Sequence, residues 1–137
     1  MVVLSGKEFN TWYKGEKFVK IINNEQEHHG FKYVEGLNID TNDFNPYGKC
    51  STGGLYFIHE EHISKFVQFG EKAWKVEIPD DAQVYEEDSK FKADRIIISE
   101  PHEVTQDAYL NAVQYHVNFL LKIRPELRTK EICESTI

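Results

Sequence analysis

The chain has 137 residues, which is enough for one domain that buries its own core. Hydrophobic residues make up 40% and charged residues 28%, a balance typical of globular proteins. The net charge of −7 disfavours nucleic acid as a partner, because acidic and basic residues are interspersed and phosphates would be repelled. Two cysteines make no disulfide framework, and there is no apolar run of about 18 residues. We therefore predict an intracellular protein with reduced thiols and no membrane partner.

Apolar periodicity predicts most of the regular structure up to residue 104. Phe9, Trp12 and Tyr13 lie at helical spacing, which indicates either a turn of helix or an irregular segment covering one end of the core over residues 7–15. Runs of β-branched and aromatic residues predict strands at 17–22, 31–35, 55–58, 73–78, 82–85 and 95–98. The first two of these strands are expected to form an antiparallel hairpin. Residues 60–68 predict a short amphipathic helix.

The C-terminal part is predicted to be helical. Thr105 is expected to cap a helix over residues 105–124, which carries an apolar stripe with a period of 3.6, and Pro125 interrupts it. A second helix is expected to begin at about Arg128. The predicted fold class is α+β: a small, mostly antiparallel mixed sheet covered by the C-terminal helix. Residues 1–104 would form the domain core, and 105–137 would be helices packed on it.

The stretch 36–54 is rich in Gly, Asn, Asp and Pro, which indicates a loop. A loop of this length inside a small domain is often functional. The candidate binding residues are Asn38, Asp40, Asp43, Asn45, Tyr47, Lys49, Cys50, Thr52 and, just beyond the loop, Tyr56. A structural interpretation stays open, in which Phe44 and Pro46 pin the loop and its Asn and Asp side chains satisfy its own turns.

No arrangement of residues indicates catalysis, and neither a cofactor nor a metal is predicted. The pairs His28–His29 and His59/His62 lack a second ligand pair at zinc spacing. The run Ser51–Gly54 could cradle a phosphate, but it lacks the ending of a P-loop and leads into a strand. The acidic runs at 80–81 and 86–88 are interpreted as solvated turns.

Several blocks in order resemble a known group of proteins. They are Phe44-Asn45-Pro46, Cys50, Gly53 to Phe57, Trp74 to Ala82, Val84-Tyr85 and Lys90 to Ile97. These blocks resemble the N-terminal domain of ankyrin-repeat and related helical-repeat proteins of mimivirus-group giant viruses. Residues 109–113 and 126–133 resemble the opening of a helical repeat that often follows such domains. The resemblance implies a viral protein that acts in the host cell cytoplasm or the virion, and it carries over no established activity.

The favoured function is a non-catalytic interaction module that binds a host or viral protein. Apolar residues within 126–137 could also pair two copies into a homodimer. The alternative is an enzyme, because Gly36-Leu37 and Gly53 to Phe57 also resemble the Gly-rich turn and aromatic strand of ADP-ribosyltransferases. That resemblance implies NAD binding, with the late Glu of those enzymes falling near Asp94 or Glu100.

Overall fold

The computed structural model describes residues 3–28, 30–46, 53–66, 70–87 and 90–106, together with 108, 110, 111 and 114. The elements defined in this part of the chain are ten strands, one α-helix and one 3₁₀ helix. The strands are β1 (Val3–Ser5), β2 (Phe18–Ile22), β3 (Glu27–His28), β4 (Phe31–Lys32), β5 (Gly36–Ile39), β6 (Leu55–His59), β7 (Lys72–Glu77), β8 (Gln83–Glu87), β9 (Lys90–Ala93) and β10 (Arg95–Glu103). The helices are α1 (Gly6–Trp12) and the 3₁₀ helix (Glu60–Lys65). No helix among the described residues is both long and apolar enough to cross a membrane.

Eight strands form one antiparallel sheet in the order β1-β8-β9-β6-β2-β7-β10-β5, and β3 pairs with β4 separately. Strands β9 and β10 lie four places apart in this order, although only Asp94 separates them in the chain. Four strand spacings span about 19 Å, whereas two Cα steps span about 7.6 Å. The sheet must therefore coil on itself, and Asp94 is the corner at which one continuous segment passes between its two halves.

The coiled sheet encloses an aromatic core that α1 closes at one end. Phe9 of α1 is 2% exposed, and its ring centroid lies 5.0–5.7 Å from those of Phe18, Phe57 and Phe91. This inner cluster draws side chains from both halves of the sheet. Its other members include Leu4, Ile22, Tyr33, Leu55, Trp74, Val76, Ile78, Ala82, Val84, Ala93, Ile96 and Ile98.

A smaller apolar cluster lies on the opposite face of the central strands. Residues alternate between the two clusters along β2 and β6, as the pleat requires: Phe18 and Phe57 belong to the inner cluster, Val19 and Tyr56 to the outer one. The 3₁₀ helix contributes Ile63 to the outer cluster. Its remaining members are Ile21, Ile58, Phe66, Ala73, Val104 and Ala108.

The two halves of the sheet meet at a narrow junction. Strands β2 and β6 pair at only two positions, Phe18 with His59 and Val19 with Ile58. Beyond them the Tyr56 carbonyl accepts a hydrogen bond from Lys20 Nζ at 2.6 Å. Lys20 is 3% exposed, so a lysine side chain replaces the missing backbone partner inside the core.

The predicted α+β class, with a small mixed sheet under a C-terminal helix, is wrong. Strands take 47% of the described residues, and the sheet has eight antiparallel strands. The two defined helices are α1 and the 3₁₀ helix, and the covering helix at 105–124 is not borne out. Most of residues 105–137 lie outside the described ones, as do all of 126–137, so the division into 1–104 and 105–137 stays a prediction.

The sheet is larger than expected because three of its strands lie in stretches interpreted otherwise. Strand β5 lies inside the predicted loop, β9 lies in a segment for which no strand was predicted, and β1 precedes the first predicted element. The hairpin expected between 17–22 and 31–35 is also wrong, since β2 pairs with β6 and β7. Strand β4 instead pairs with β3.

We expect Ser5→Ala to lower the free energy of unfolding by about 1 kcal/mol. Ser5 Oγ accepts the Glu8 N–H at 3.0 Å, and a Glu8 carboxylate oxygen accepts the Ser5 N–H at 2.9 Å, which makes a capping box at the start of α1. Thermal unfolding measures the loss, and Ser5→Thr is the control because it keeps the hydroxyl. Equal melting temperatures for the two variants would contradict a stabilising cap.

Candidate functional site

The predicted binding loop begins at a strand whose one polar residue is structural. Asn38 lies in β5 and is 3% exposed. Its side-chain oxygen accepts the Val34 N–H at 2.9 Å, and its Nδ2 donates to the carbonyls of Val34 at 2.8 Å and Gly36 at 3.1 Å. The side chain thus closes the turn that enters β5.

The two ends of the loop are tied together by one side-chain and one backbone hydrogen bond. Asp40 Oδ2 accepts the Gly54 N–H at 2.7 Å, and the Asn45 N–H donates to the Gly53 carbonyl at 2.7 Å. Gly53 has φ +99°, and a Cβ there would overlap the Asp43 carbonyl oxygen and lie 2.8 Å from Asn45 Cβ. A glycine is therefore required where the chain leaves the loop for β6.

Beneath this base lies a buried polar cluster, which we call the Lys–Tyr cluster: Tyr56, Glu87, Lys90 and Lys92. Lys92 lies opposite Tyr56 across the pair β6–β9, and Lys90 lies opposite Glu87 across the pair β8–β9. Both ammonium groups contact the Tyr56 ring, Lys90 Nζ at 4.8 Å and Lys92 Nζ at 5.2 Å from its centroid. The Tyr56 hydroxyl donates to Glu87 Oε2 at 3.1 Å, and Lys90 Nζ lies 4.0 Å from Glu87 Oε1.

The cluster connects the loop to the sheet through Lys92. Lys92 is 0% exposed, and its Nζ donates to the Asn45 carbonyl at 2.6 Å. Gly54 packs directly against the aliphatic part of Lys92, where a Cβ would overlap Cγ. Because these charged groups are buried and engaged with one another, the cluster acts as a support for the loop.

The predicted site residues are therefore placed as follows. Asp40, Asn45 and Tyr56 meet at the loop base, and the Asp43 carbonyl borders Gly53. Asn38 lies in β5, where its amide closes the turn that precedes the loop. Tyr47, Lys49, Cys50 and Thr52 lie outside the described residues.

The contacts of His59 and Gly54 bear on the metal and phosphate sites that were considered from the sequence. Among the described residues, no group of three or more His, Cys, Asp or Glu side chains could hold a metal ion. His59 lies 3.3 Å from Glu16 and packs on Phe18 with ring centroids 4.6 Å apart. The Gly54 N–H is engaged by Asp40, so it is not directed at a phosphate.

The residues suggested for an ADP-ribosyltransferase-like site are held in other contacts. Tyr56 is 7% exposed. Asp94 Oδ1 accepts the Gln83 N–H at 2.8 Å, and Glu100 lies 3.3 Å from Lys75. Glu100 is on β10, three places from β6 in the sheet. None of these contacts on the described residues favours an NAD pocket.

A cleft of about 650 Å³ lies beside the start of β2. Its apolar floor includes Phe18 and Val76. On its rim, Lys75 Nζ lies 3.2 Å from Glu77 and 3.3 Å from Glu100, and the hydrogen bonds to Glu77 and then Glu100 raise the pKa of Lys75. One lysine between two carboxylates leaves this part of the rim with a net negative charge, which would disfavour an anionic ligand.

The chain is similar to proteins of one giant virus. An ankyrin repeat protein of Acanthamoeba polyphaga mimivirus is 42% identical over 66 residues, which cover 47% of this chain and 33% of that protein. A second ankyrin repeat protein of this virus is 38% identical over 63 residues, which cover 45% of this chain and 19% of the relative. An uncharacterized protein of the virus is 38% identical over 66 residues, which cover 47% of this chain and 48% of the relative.

The predicted relation to mimivirus ankyrin repeat proteins is confirmed by this similarity. The matches span about a fifth to a half of the curated relatives' own length. That the matched part is the N-terminal domain of such proteins stays a prediction. No protein-family model matches the chain, and no solved structure matches it.

Sequence reasoning missed the buried charges that hold the candidate site. Lys20, Glu87, Lys90 and Lys92 are all at most 7% exposed. The signal for Lys20 was present, since this residue interrupts the apolar run Phe18–Ile22. Lys90 and Lys92 alternate with Phe91 and Ala93, a period-2 pattern that indicates a strand once the lysines are allowed to be buried.

Proposed function

We propose that the chain is a non-catalytic protein-binding module of a giant-virus protein, with a host or viral protein as its partner. The similarity to ankyrin repeat proteins supports this proposal. Ankyrin repeats stack into solenoids whose extended surfaces bind other proteins, and on this proposal the present chain serves the same kind of assembly. The cytoplasm of the host cell, or the virion, is where we propose that it acts.

The loop at 38–54 is the proposed contact surface. Its support is the tied base, where Asn45 bonds to Gly53 and to Lys92, and Asp40 bonds to Gly54. A base held by a rigid sheet lowers the entropy that the loop would lose on binding. Tyr47, Lys49, Cys50 and Thr52 are the side chains of the loop proposed to contact the partner.

The proposal is tested by capture from host-cell lysate, identification of the captured protein, and titration of that purified protein. We expect Tyr47→Ala combined with Lys49→Ala to weaken binding at least tenfold, because an aromatic anchor and a charge are lost. The melting temperature should not change. The matched control is Trp12→Ala combined with Lys14→Ala, a pair of exposed residues at the end of α1 and in the turn after it, which should bind like the wild type.

Two outcomes would count against the proposal. Wild-type affinity in the Tyr47/Lys49 variant would exclude the loop as the contact surface. Failure of the wild-type protein to retain any protein above an unrelated bait would contradict the protein-binding function itself.

A further inference from the structure

The two edges of the eight-stranded sheet differ in whether their outward backbone groups are already hydrogen-bonded. Strand β1 is one edge and β5 is the other. The Gly6 N–H donates to the Ala82 carbonyl, so by alternation the Ser5 N–H points away from β8, and this group is occupied by the Glu8 carboxylate at 2.9 Å. The capping box of α1 therefore blocks part of the β1 edge.

Strand β5 has no such protection among the described residues. Gly36–Ile39 is short, but it contains no Lys, no Pro and no bulge, three of the usual means by which edge strands avoid further pairing. Leu37 is 51% exposed and Ile39 is 49% exposed. Leu37 lies opposite Ile97 of β10, so these two residues and Ile39 form an apolar strip along the edge, and Arg95 lies opposite Ile39.

The backbone groups of this edge face outward at the same two residues. The Asp40 N–H donates to the Asp94 carbonyl at 3.0 Å, which makes Asp40–Asp94 a hydrogen-bonded pair of the β5–β10 ladder. In an antiparallel ladder hydrogen-bonded pairs alternate, so Asn38 and Gly36 also bond toward β10. The N–H and C=O groups of Leu37 and Ile39 therefore point away from the sheet.

We propose that β5 pairs antiparallel with β5 of a second copy of this chain, about a two-fold axis beside Asn38. In this register Leu37 of each copy lies opposite Ile39 of the other. The outward N–H and C=O groups of those residues then form two hydrogen-bonded pairs, and their exposed side chains meet on one face. The pairing continues the eight-stranded sheet of one copy into that of the next.

Register and charge both favour this arrangement. A two-fold axis normal to the sheet keeps each side chain on its own face, and opposed residues of an antiparallel pair share a face. Leu37 and Asn38 are successive residues and lie on opposite faces, so registers that oppose them are excluded. Centring the axis on Leu37 would oppose Ile39 to Glu35. Centring it on Asn38 opposes Glu35 to Thr41 and Asp40 to Gly36, so no like charges face each other despite the net charge of −7.

The contact is small compared with a standard interface of about 1,600 Å², so we expect a weak dimer with a dissociation constant in the micromolar range. Analytical ultracentrifugation of the full chain should show the average mass rising with concentration from 16.0 kDa toward twice that value. Leu37→Lys combined with Ile39→Lys should keep the protein monomeric, because lysines would then face lysines. Val3→Lys on the other edge is the matched control and should dimerise like the wild type.

Amide hydrogen exchange tests the register directly. With rising concentration, exchange at Leu37 and Ile39 should slow at least tenfold, while the Asn38 amide, which bonds toward β10, should not change. A wild-type protein that is monomeric at all concentrations would overturn the proposal. So would a dimer that survives the double lysine substitution, in which case a version ending at Arg124 would test pairing through residues 126–137.

Discussion

The free energy of unfolding of the wild-type protein is expected to rise between neutral pH and pH about 9.5, and Lys20→Met is expected to remove this rise. Burial in the inner core lowers the pKa of Lys20 from 10.5 to about 7. Between these two values the unfolded chain binds the proton and the folded protein does not, so the free energy of unfolding increases as the pH rises. The increase should be roughly 3 kcal/mol over this range, since one pKa unit corresponds to about 1.4 kcal/mol.

Urea unfolding at several pH values measures this slope. The hydrogen bond to Glu86 raises the pKa of Tyr13 to about 12, and burial raises the pKa of Tyr33. These two groups therefore lower the free energy of unfolding as the pH rises above about 10. The measurements stop at pH about 9.5 so that this opposite effect stays small. Lys32→Met is the control, since Lys32 is exposed on β4 and should keep the wild-type slope. An identical slope in Lys20→Met and the wild type would show that Lys20 does not titrate in this range.

The sequence predicts where several strands lie, but it does not predict how they pair. Strand β7 was predicted at 73–78 because apolar and polar residues alternate there, and it is found at Lys72–Glu77. Local patterns of this kind predict that a strand exists, but they do not name its partner. Strand β2 pairs with β6 and β7, which follow it by more than thirty residues. Local sequence patterns do not predict such long-range pairing, so the nearest strand was wrongly expected to be the partner of β2.

The sequence predicts part of the loop, but it does not predict the buried Lys–Tyr cluster that supports the loop. The Gly and Asn residues of 36–54 did indicate turns, and Gly53 is needed for one of them. The same composition concealed β5, because Asn38 was taken as a binding residue and its amide instead closes a turn within the chain. The Lys–Tyr cluster was not predicted, because a buried lysine is stable only with partners from distant parts of the chain, here Tyr56 and the Asn45 carbonyl.

Gly53→Ala is expected to destabilise the protein by about 3 kcal/mol or more and to abolish binding through the loop. Two costs combine at this position. A positive φ of +99° is strained for alanine, and such strain costs roughly 1 kcal/mol or more. In addition, the new Cβ would overlap the Asp43 carbonyl oxygen and would lie 2.9 Å from the Asn45 nitrogen, so the hydrogen bond between Asn45 and Gly53 must break or shift.

Gly15→Ala separates these two costs. Gly15 has φ +84°, but a Cβ there meets no atom within 4 Å, so its substitution reports the backbone strain alone. Chemical denaturation of both variants should show a loss of about 1 kcal/mol for Gly15→Ala and a clearly larger loss for Gly53→Ala. Equal losses would mean that the Asp43–Asn45 backbone moves away at little cost, and that the base of the loop is not the rigid support on which the proposed binding surface depends.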